Sequence, residues 1–276
     1  MIKESFILER ENQRPILIDW REPSSKTKGV VLFAHGFKGY KDWGDWNLLA
    51  DYYSKNGYVF IKFNFSCNGG TMEKPIDFPD LQAFSENSYW KEQQDLTDMI
   101  NWSCDRFYEP VHLIGHSRGG AAVLLQANNS RVRSVCSLAG VTDLQGKVSE
   151  DQYSLWLAGK DYMVMNGRTK QNMPMSPIFY KDLMDHSDEL HIEKVVSNSK
   201  TPIMAFHAKD DQTVYFTDSL NLQKWNDQIK VHLLDSSGHT FGMKHPSTET
   251  KLNDQLIELY EKWIGFIESL PSNKTP

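Results

Sequence analysis

Three cysteines in 276 residues, Cys67, Cys104 and Cys136, are odd in number and far apart. They argue against a disulfide framework and show no zinc-like pairing. Cys136 falls in an apolar strand pattern and Cys104 in a helical one, which fits buried thiols. No basic tract interrupts a chain of formal net charge −6, so a nucleic-acid surface is not expected. No apolar run approaches a membrane span. The amino terminus, Met1-Ile2-Lys3-Glu4-Ser5-Phe6, lacks the apolar segment of a signal peptide. Phosphate-cradling loops, metal-ligand spacings, internal repeats and interdomain linkers are equally missing, so neither a cofactor nor a metal is expected. These absences leave a soluble single domain over residues 1–276, long enough for a sizeable core. Its expected setting is reducing and cytoplasmic, where sequons such as Asn101-Trp102-Ser103 are incidental.

What is present centres on Leu113-Ile114-Gly115-His116-Ser117-Arg118-Gly119-Gly120. The apolar stretch Val111 to Ile114 ends in Gly-x-Ser-x-Gly, and Ala121 to Leu125 continue as a helix. A strand, a tight turn and a helix place Ser117 at a strained apex with its hydroxyl exposed, and the glycines let strand and helix approach closely.

A serine hydroxyl is a weak nucleophile at neutral pH, so it needs a base, and the base needs a carboxylate. Pro202 to His207 reads as a strand leading into Ala208-Lys209-Asp210-Asp211-Gln212-Thr213-Val214. Val231 to Leu234 reads as the next, leading into Ser236-Ser237-Gly238-His239-Thr240-Phe241. Both loops follow the carboxyl end of a strand, where parallel α/β sheets place their sites. Asp211 is favoured as the acid because it stands three residues before Val214. Asp210 is then a solvated loop carboxylate or a turn acceptor, and Asp235 a distant third. Of nine histidines, His239 alone follows the final strand after a glycine-bearing loop. His207 reads as packed, His116 as structural, His232 as part of a strand and His245 as part of a turn. An oxyanion needs two aimed donors. The amide of Arg118 supplies one. The other is expected from Phe37, in His35-Gly36-Phe37-Lys38-Gly39, after the strand Val30 to Ala34.

The remaining pattern alternates strands with helices, which predicts a mainly parallel sheet with helices on both faces. Residues 2–10 and 15–22 read as two edge strands. Tyr58 to Phe65 is a strand, residues 89–107 a helix, and Glu249 to Leu270 a closing helix with Leu252, Leu256, Leu259, Trp263 and Ile267 on one stripe. The tail from Pro271 to Pro276 is expected to fray. The long loop from Ser66 to Asn87 reads as either a plain surface connection or a pocket wall. Residues 142–199 exceed what one crossover helix needs, so they read as an inserted cap. Trp156, Met163, Met175 and Phe179 within it are candidate substrate contacts, because methionine and aromatic side chains suit an acyl pocket. They also suit gluing the cap to the body. Arg168 is expected in a salt bridge within the cap, or against a carboxylate or phenolic group of a substrate.

On the residues from His35 to Gly39, Gly115 to Gly120, the Asp211 loop and Gly238-His239-Thr240-Phe241, the chain resembles α/β-hydrolases of the dienelactone-hydrolase-like and cinnamoyl (feruloyl) esterase-like group. The likeness spans about Lys28 to Leu270 and includes Asn166-Gly167-Arg168-Thr169-Lys170-Gln171. It implies Ser117 as nucleophile, Asp211 as acid, His239 as base, and the Phe37 and Arg118 amides as oxyanion hole. Dienelactone hydrolases carry a cysteine in the elbow; serine here favours ordinary ester hydrolysis. The expected activity is that of a serine carboxylesterase acting on a small-molecule acyl or aromatic-acid ester. A peptidase or amidase, a thioesterase, and a non-catalytic binding relative are the alternatives.

Overall fold

The computed structural model describes residues 1–271, so the expected fraying beyond Pro271 lies outside the described residues. The chain opens with β1 (Ile2–Arg10), β2 (Gln13–Glu22) and β3 (Val30–Ala34), then α1 (Trp46–Lys55), β4 (Val59–Asn64), α2 (Leu81–Ser85) and α3 (Tyr89–Phe107). The serine turn lies between β5 (Val111–His116) and α4 (Arg118–Leu125), and β6 (Val132–Leu138) follows. Then come α5 (Glu150–Leu157), β7 (Tyr162–Met165), β8 (Asn172–Met175), α6 (Ile178–Asp185) and α7 (Ile192–Ser197). The chain closes through β9 (Ile203–Ala208), α8 (Thr217–Trp225), β10 (Lys230–Leu234) and α9 (Asp254–Glu268).

Among the described residues, eight strands form one sheet in the order β1-β2-β4-β3-β5-β6-β9-β10. The β1–β2 and β2–β4 pairings are antiparallel and the other five parallel. Only β1 of the opening hairpin is an edge: β2 is paired on both sides, through Leu17–Arg21 to β4. Its alternation looks like that of an edge strand because Asp19 and Arg21 are polar, yet both are buried and ion-paired.

Central strands are apolar on both sides, as a sheet covered on two faces requires. In β3, Val30, Leu32 and Ala34 enter one core, with Leu96, Met99 and Ile100 of α3 and Ala121 to Leu124 of α4. Val31 and Phe33 enter the other, with Trp46, Leu49 and Tyr53 of α1 and the Leu256, Leu259, Trp263 and Ile267 stripe of α9. The two longest helices are capped: Ser88 accepts from the Lys91 amide at the head of α3, and Asn253 accepts from the Leu256 amide at 2.8 Å before α9. That cap sets α9 to begin at Asp254 instead of Glu249.

Three further expectations change in detail. The long loop after β4 contains α2, headed by an Asp80 cap on the Ala83 amide. Cys67 and Cys136 are buried, but Cys104 is only half-buried. Within residues 142–199, α7 puts Ile192 and Val196 into the main core and packs on α4 and α8, so it serves as the crossover helix between β6 and β9. The stretch before it holds α5, the β7–β8 hairpin and α6, bound to the body through a third cluster: Tyr40, Phe78, Phe84, Trp156, Met173, Met175 and Phe179.

Candidate active site

Ser117 lies at φ 57° and ψ −117° between β5 and α4, a conformation that costs an L residue about 1–3 kcal/mol. Packing holds it there. The Ser117 amide donates to the Leu138 carbonyl at 2.8 Å. A Cβ on Gly115 would come within 2.0 Å of the Gly119 carbonyl oxygen, and one on Gly119 within 2.3 Å of that of Ala34. No side chain fits either gap, so strand and helix close only through glycine.

Asp211 and His239 extend from the loops after β9 and β10. Asp211 Oδ2 accepts from His239 Nδ1 at 2.7 Å, while Oδ1 accepts the amides of Thr213 and Val214 at 2.8 and 3.0 Å. Burial alone would raise the Asp211 carboxyl, but the hydrogen bonds from His207, His239 and the Val214 amide outweigh it and hold the group well below the carboxylate range. It therefore stays an acceptor-only anion that fixes the Nδ1–H tautomer of His239. His207 is fully buried between Ser219 Oγ at 2.8 Å and the Val214 carbonyl at 2.9 Å. His116 is buried too and meets the His239 carbonyl through Nε2 at 2.8 Å. Burial, with His239 beside it, lowers its pKa to about 3.

Asp210 is neither idle nor the ring's partner. Its carboxylate accepts from Ser236 Oγ at 2.8 Å and from the amides of Ser237 and Gly238 at 3.0 and 2.9 Å, pinning the loop that ends in His239. Asp235 points outward to Lys209 at 2.6 Å. The tandem aspartates thus divide the work: Asp210 holds the backbone and Asp211 the ring.

The loop after β3 presses on the serine turn, where a Cβ on Gly36 would meet Ser117 Cβ at 3.0 Å. Among the described residues, neither the Phe37 nor the Arg118 amide donates to a backbone carbonyl, and Arg118 opens α4, where amides lack intrahelical partners. The Arg118 side chain is buried, paired with Glu92 at 2.7 Å, and lies over Tyr89, Phe179 and Phe37 with centroid distances of 4.3, 5.1 and 5.4 Å.

Ser117 and His239 share the wall of a cavity of about 290 Å³ with Phe37, Lys38, Trp43, Trp46, Asn166, Arg168, Thr240 and His245. The Ser117 hydroxyl makes no hydrogen bond to the ring; such contacts commonly tighten only around substrate. Clefts of about 570, 360 and 330 Å³ elsewhere contain neither group. Of the candidate substrate contacts, Trp156, Met175 and Phe179 are buried in the third cluster, with Trp156 Nε1 donating to the Met175 carbonyl at 2.9 Å. Met163 is half exposed on β7. None of the four lines the cavity. The insert reaches it through Asn166 and Arg168 at the tip of the β7–β8 hairpin. Arg168 pairs outside the insert, with Asp77 of the long loop. Sequence reasoning also missed Trp43, Trp46 and His245 as walls. His245 stacks on Trp43 and bonds Tyr40 Oη at 2.6 Å. Nothing in the local pattern marks them.

A sheet of this order, with a serine turn after its central strand and an Asp–His pair on later loops, is the fold of the α/β-hydrolases. Within that class the sequence matches the prolyl oligopeptidase family over residues 46–266, and the chain belongs to that family. Comparison with curated proteins gives no significant match. Among solved structures, the chain is similar to Est1E from Butyrivibrio proteoclasticus bound to ferulic acid, at TM-score 0.73 and 13% identity over 95% of this chain and 98% of that one. It is also similar to an esterase domain from Rhodothermus marinus (TM-score 0.66, 18% identity, 96% and 98% covered). A monoglyceride lipase from Saccharomyces cerevisiae gives TM-score 0.69 at 13% identity, with 99% and 97% covered. At these identities the likeness is one of fold. No helix among the described residues is long and apolar enough to cross a membrane.

Proposed function

We propose that this chain is a serine carboxylesterase for small esters, with Ser117 as nucleophile, His239 as base and Asp211 as its orienting acid. One observation carries the reading: an imidazole whose tautomer is fixed by a buried carboxylate at 2.7 Å shares a small cavity with a serine held at positive φ. His239 Nε2 takes the Ser117 proton as Oγ attacks the ester carbonyl. The Phe37 and Arg118 amides receive the developing oxyanion. His239 then protonates the leaving alcohol, and water activated by the same ring releases the acid. A cavity of about 290 Å³ sits at the small end of ligand sites, and its indole walls suit a short acyl or aromatic group. The stretch before α7 acts as a cap whose hairpin tip closes one side. The likeness to Est1E, which binds ferulic acid, adds support for an aromatic acid.

The family name favours one competing reading, a peptidase. Hydrolysis of p-nitrophenyl esters from acetate to long acyl chains, feruloyl esters and matched anilides tests both. Ester turnover lost by about 10⁴-fold in Ser117→Ala is expected, with little on anilides. Loss of less than tenfold removes Ser117 from the mechanism, and anilide turnover matching ester turnover shifts the reading to a peptidase.

A further inference from the structure

The Ser117 cavity carries two cationic side chains and, among the described residues, no carboxylate. Lys38 enters from the loop after β3, and its ammonium donates to the Met165 carbonyl at 3.3 Å. Arg168 enters from the β7–β8 tip and pairs through Nη2 with Asp77, a carboxylate outside the cavity lining. A guanidinium has five donors, so Asp77 occupies only part of the fork. At the mouth two cations face one carboxylate, Asp77, and the Asp211 anion lies behind the His239 ring, in a chain of net charge −6. Each contact ties the insert to the body with only part of the cation's donor capacity, one carbonyl for Lys38 and one carboxylate for Arg168. Asn166 beside them is spent on the hairpin, its Oδ1 accepting the amides of Arg168 and Thr169 at 3.0 and 3.3 Å; it holds Arg168 in place.

We propose that Lys38 and Arg168 form a carboxylate-binding subsite, so that the substrate is an ester that also bears a free carboxylate: a half-ester of a dicarboxylic acid, or an ester formed through the hydroxyl of a hydroxy or phenolic acid. An excess of one cation at the mouth, with the Asp211 anion behind the ring, matches a monoanion better than a phosphate dianion. Arg and carboxylate form the shorter, stronger class of hydrogen bond, and the open mouth makes the attraction sensitive to salt. The inference rests on the esterase reading of Ser117.

Two matched pairs test it. p-Nitrophenyl hemiglutarate against p-nitrophenyl valerate places the charge on the acyl side. 4-Acetoxybenzoate against 4-acetoxybenzamide places it on the leaving phenol. In the native enzyme kcat/KM is expected to favour the anion by about tenfold on one pair, which also assigns the side. The ratio should fall toward unity in Lys38→Met and Arg168→Gln, through KM more than kcat. It should rise in Asp77→Asn, a change that Asn tolerates at φ 69°. No preference on either pair, or a preference surviving in the double variant, overturns the subsite while leaving neutral-ester turnover as evidence for Ser117. Calorimetry of monomethyl against dimethyl glutarate on Ser117→Ala tests binding without chemistry. Tighter binding of the monoanion supports the subsite, and equal or weaker binding sinks it even if no ester turns over.

Discussion

At the carboxyl edge of the sheet, Asp211, Asp210 and His239 are held by hydrogen bonds of 2.7 to 3.0 Å from loops that follow neighbouring strands. The insert reaches the same cavity through only two residues at a hairpin tip, while its large side chains pack on Tyr40, Phe78 and Phe84. The first region spends its polar groups on a fixed chemical geometry. The second spends apolar surface on attachment and leaves specificity to a few side chains. Catalysis should therefore depend steeply on the sheet-edge loops, and substrate choice should depend on the tip.

The sharpest way to break this contrast is Asp211→Asn. It should lower kcat by about 10⁴-fold, since an amide stabilises the wrong imidazole tautomer, and steady-state kinetics on a short p-nitrophenyl ester reads it. If Asp210→Asn were the more damaging change, the roles of the two aspartates would be reversed. On the insert side, Trp156→Ala should cost about 3–5 kcal/mol of unfolding free energy, because it empties a buried site and strands the Met175 carbonyl. Denaturant unfolding measures it, and a large drop in kcat with unchanged stability would place Trp156 at the substrate after all. Asp210→Ala frees the loop backbone but leaves the Asp211–His239 bond, so a fall in kcat of about tenfold is expected, with stability little changed.

The smallest perturbation is pH. Burial, the largest cause in each, lowers His35 and His112 to about 4 and His116 to about 3. The unfolded chain binds protons on these rings below about 6.5 and the folded chain does not, so they make stability fall as pH drops from there toward 4. Buried Asp95 opposes them: burial raises it to about 6 against Arg10 and Ser66, so the folded state takes its proton first and gains stability between about 6 and 4. Calorimetry of the native chain against His112→Gln should show a shallower decline in the variant, because one depressed imidazole, bonded to Ser134 Oγ at 2.7 Å, is removed.

The geometry of the candidate site was legible where its signal was local. Gly115 to Gly120 announces a strand–turn–helix because only glycine fits gaps of 2.0 and 2.3 Å, and a backbone constraint of that kind is written into consecutive residues. The loops that bring His239 and Asp211 to 2.7 Å of each other were legible from their places after apolar strands. The tip residue Arg168 was marked by its charge, but its partner was not, since Asp77 lies 91 residues earlier. Edge and interior strands were confused at β2 because a buried ion pair reads as a polar face.

By itself, then, the sequence determined most strands of the main sheet, the long helices α3 and α9 and the strained turn, through periodicity and backbone sterics that act within a few residues. Only the tertiary structure decided which aromatic side chains face the cavity and which glue the insert. Trp43 and Trp46 line it while Trp156 and Phe179 do not. Burial rewards an aromatic ring equally on either side of a wall, and the direction it faces is set by the packing of segments far apart in the chain.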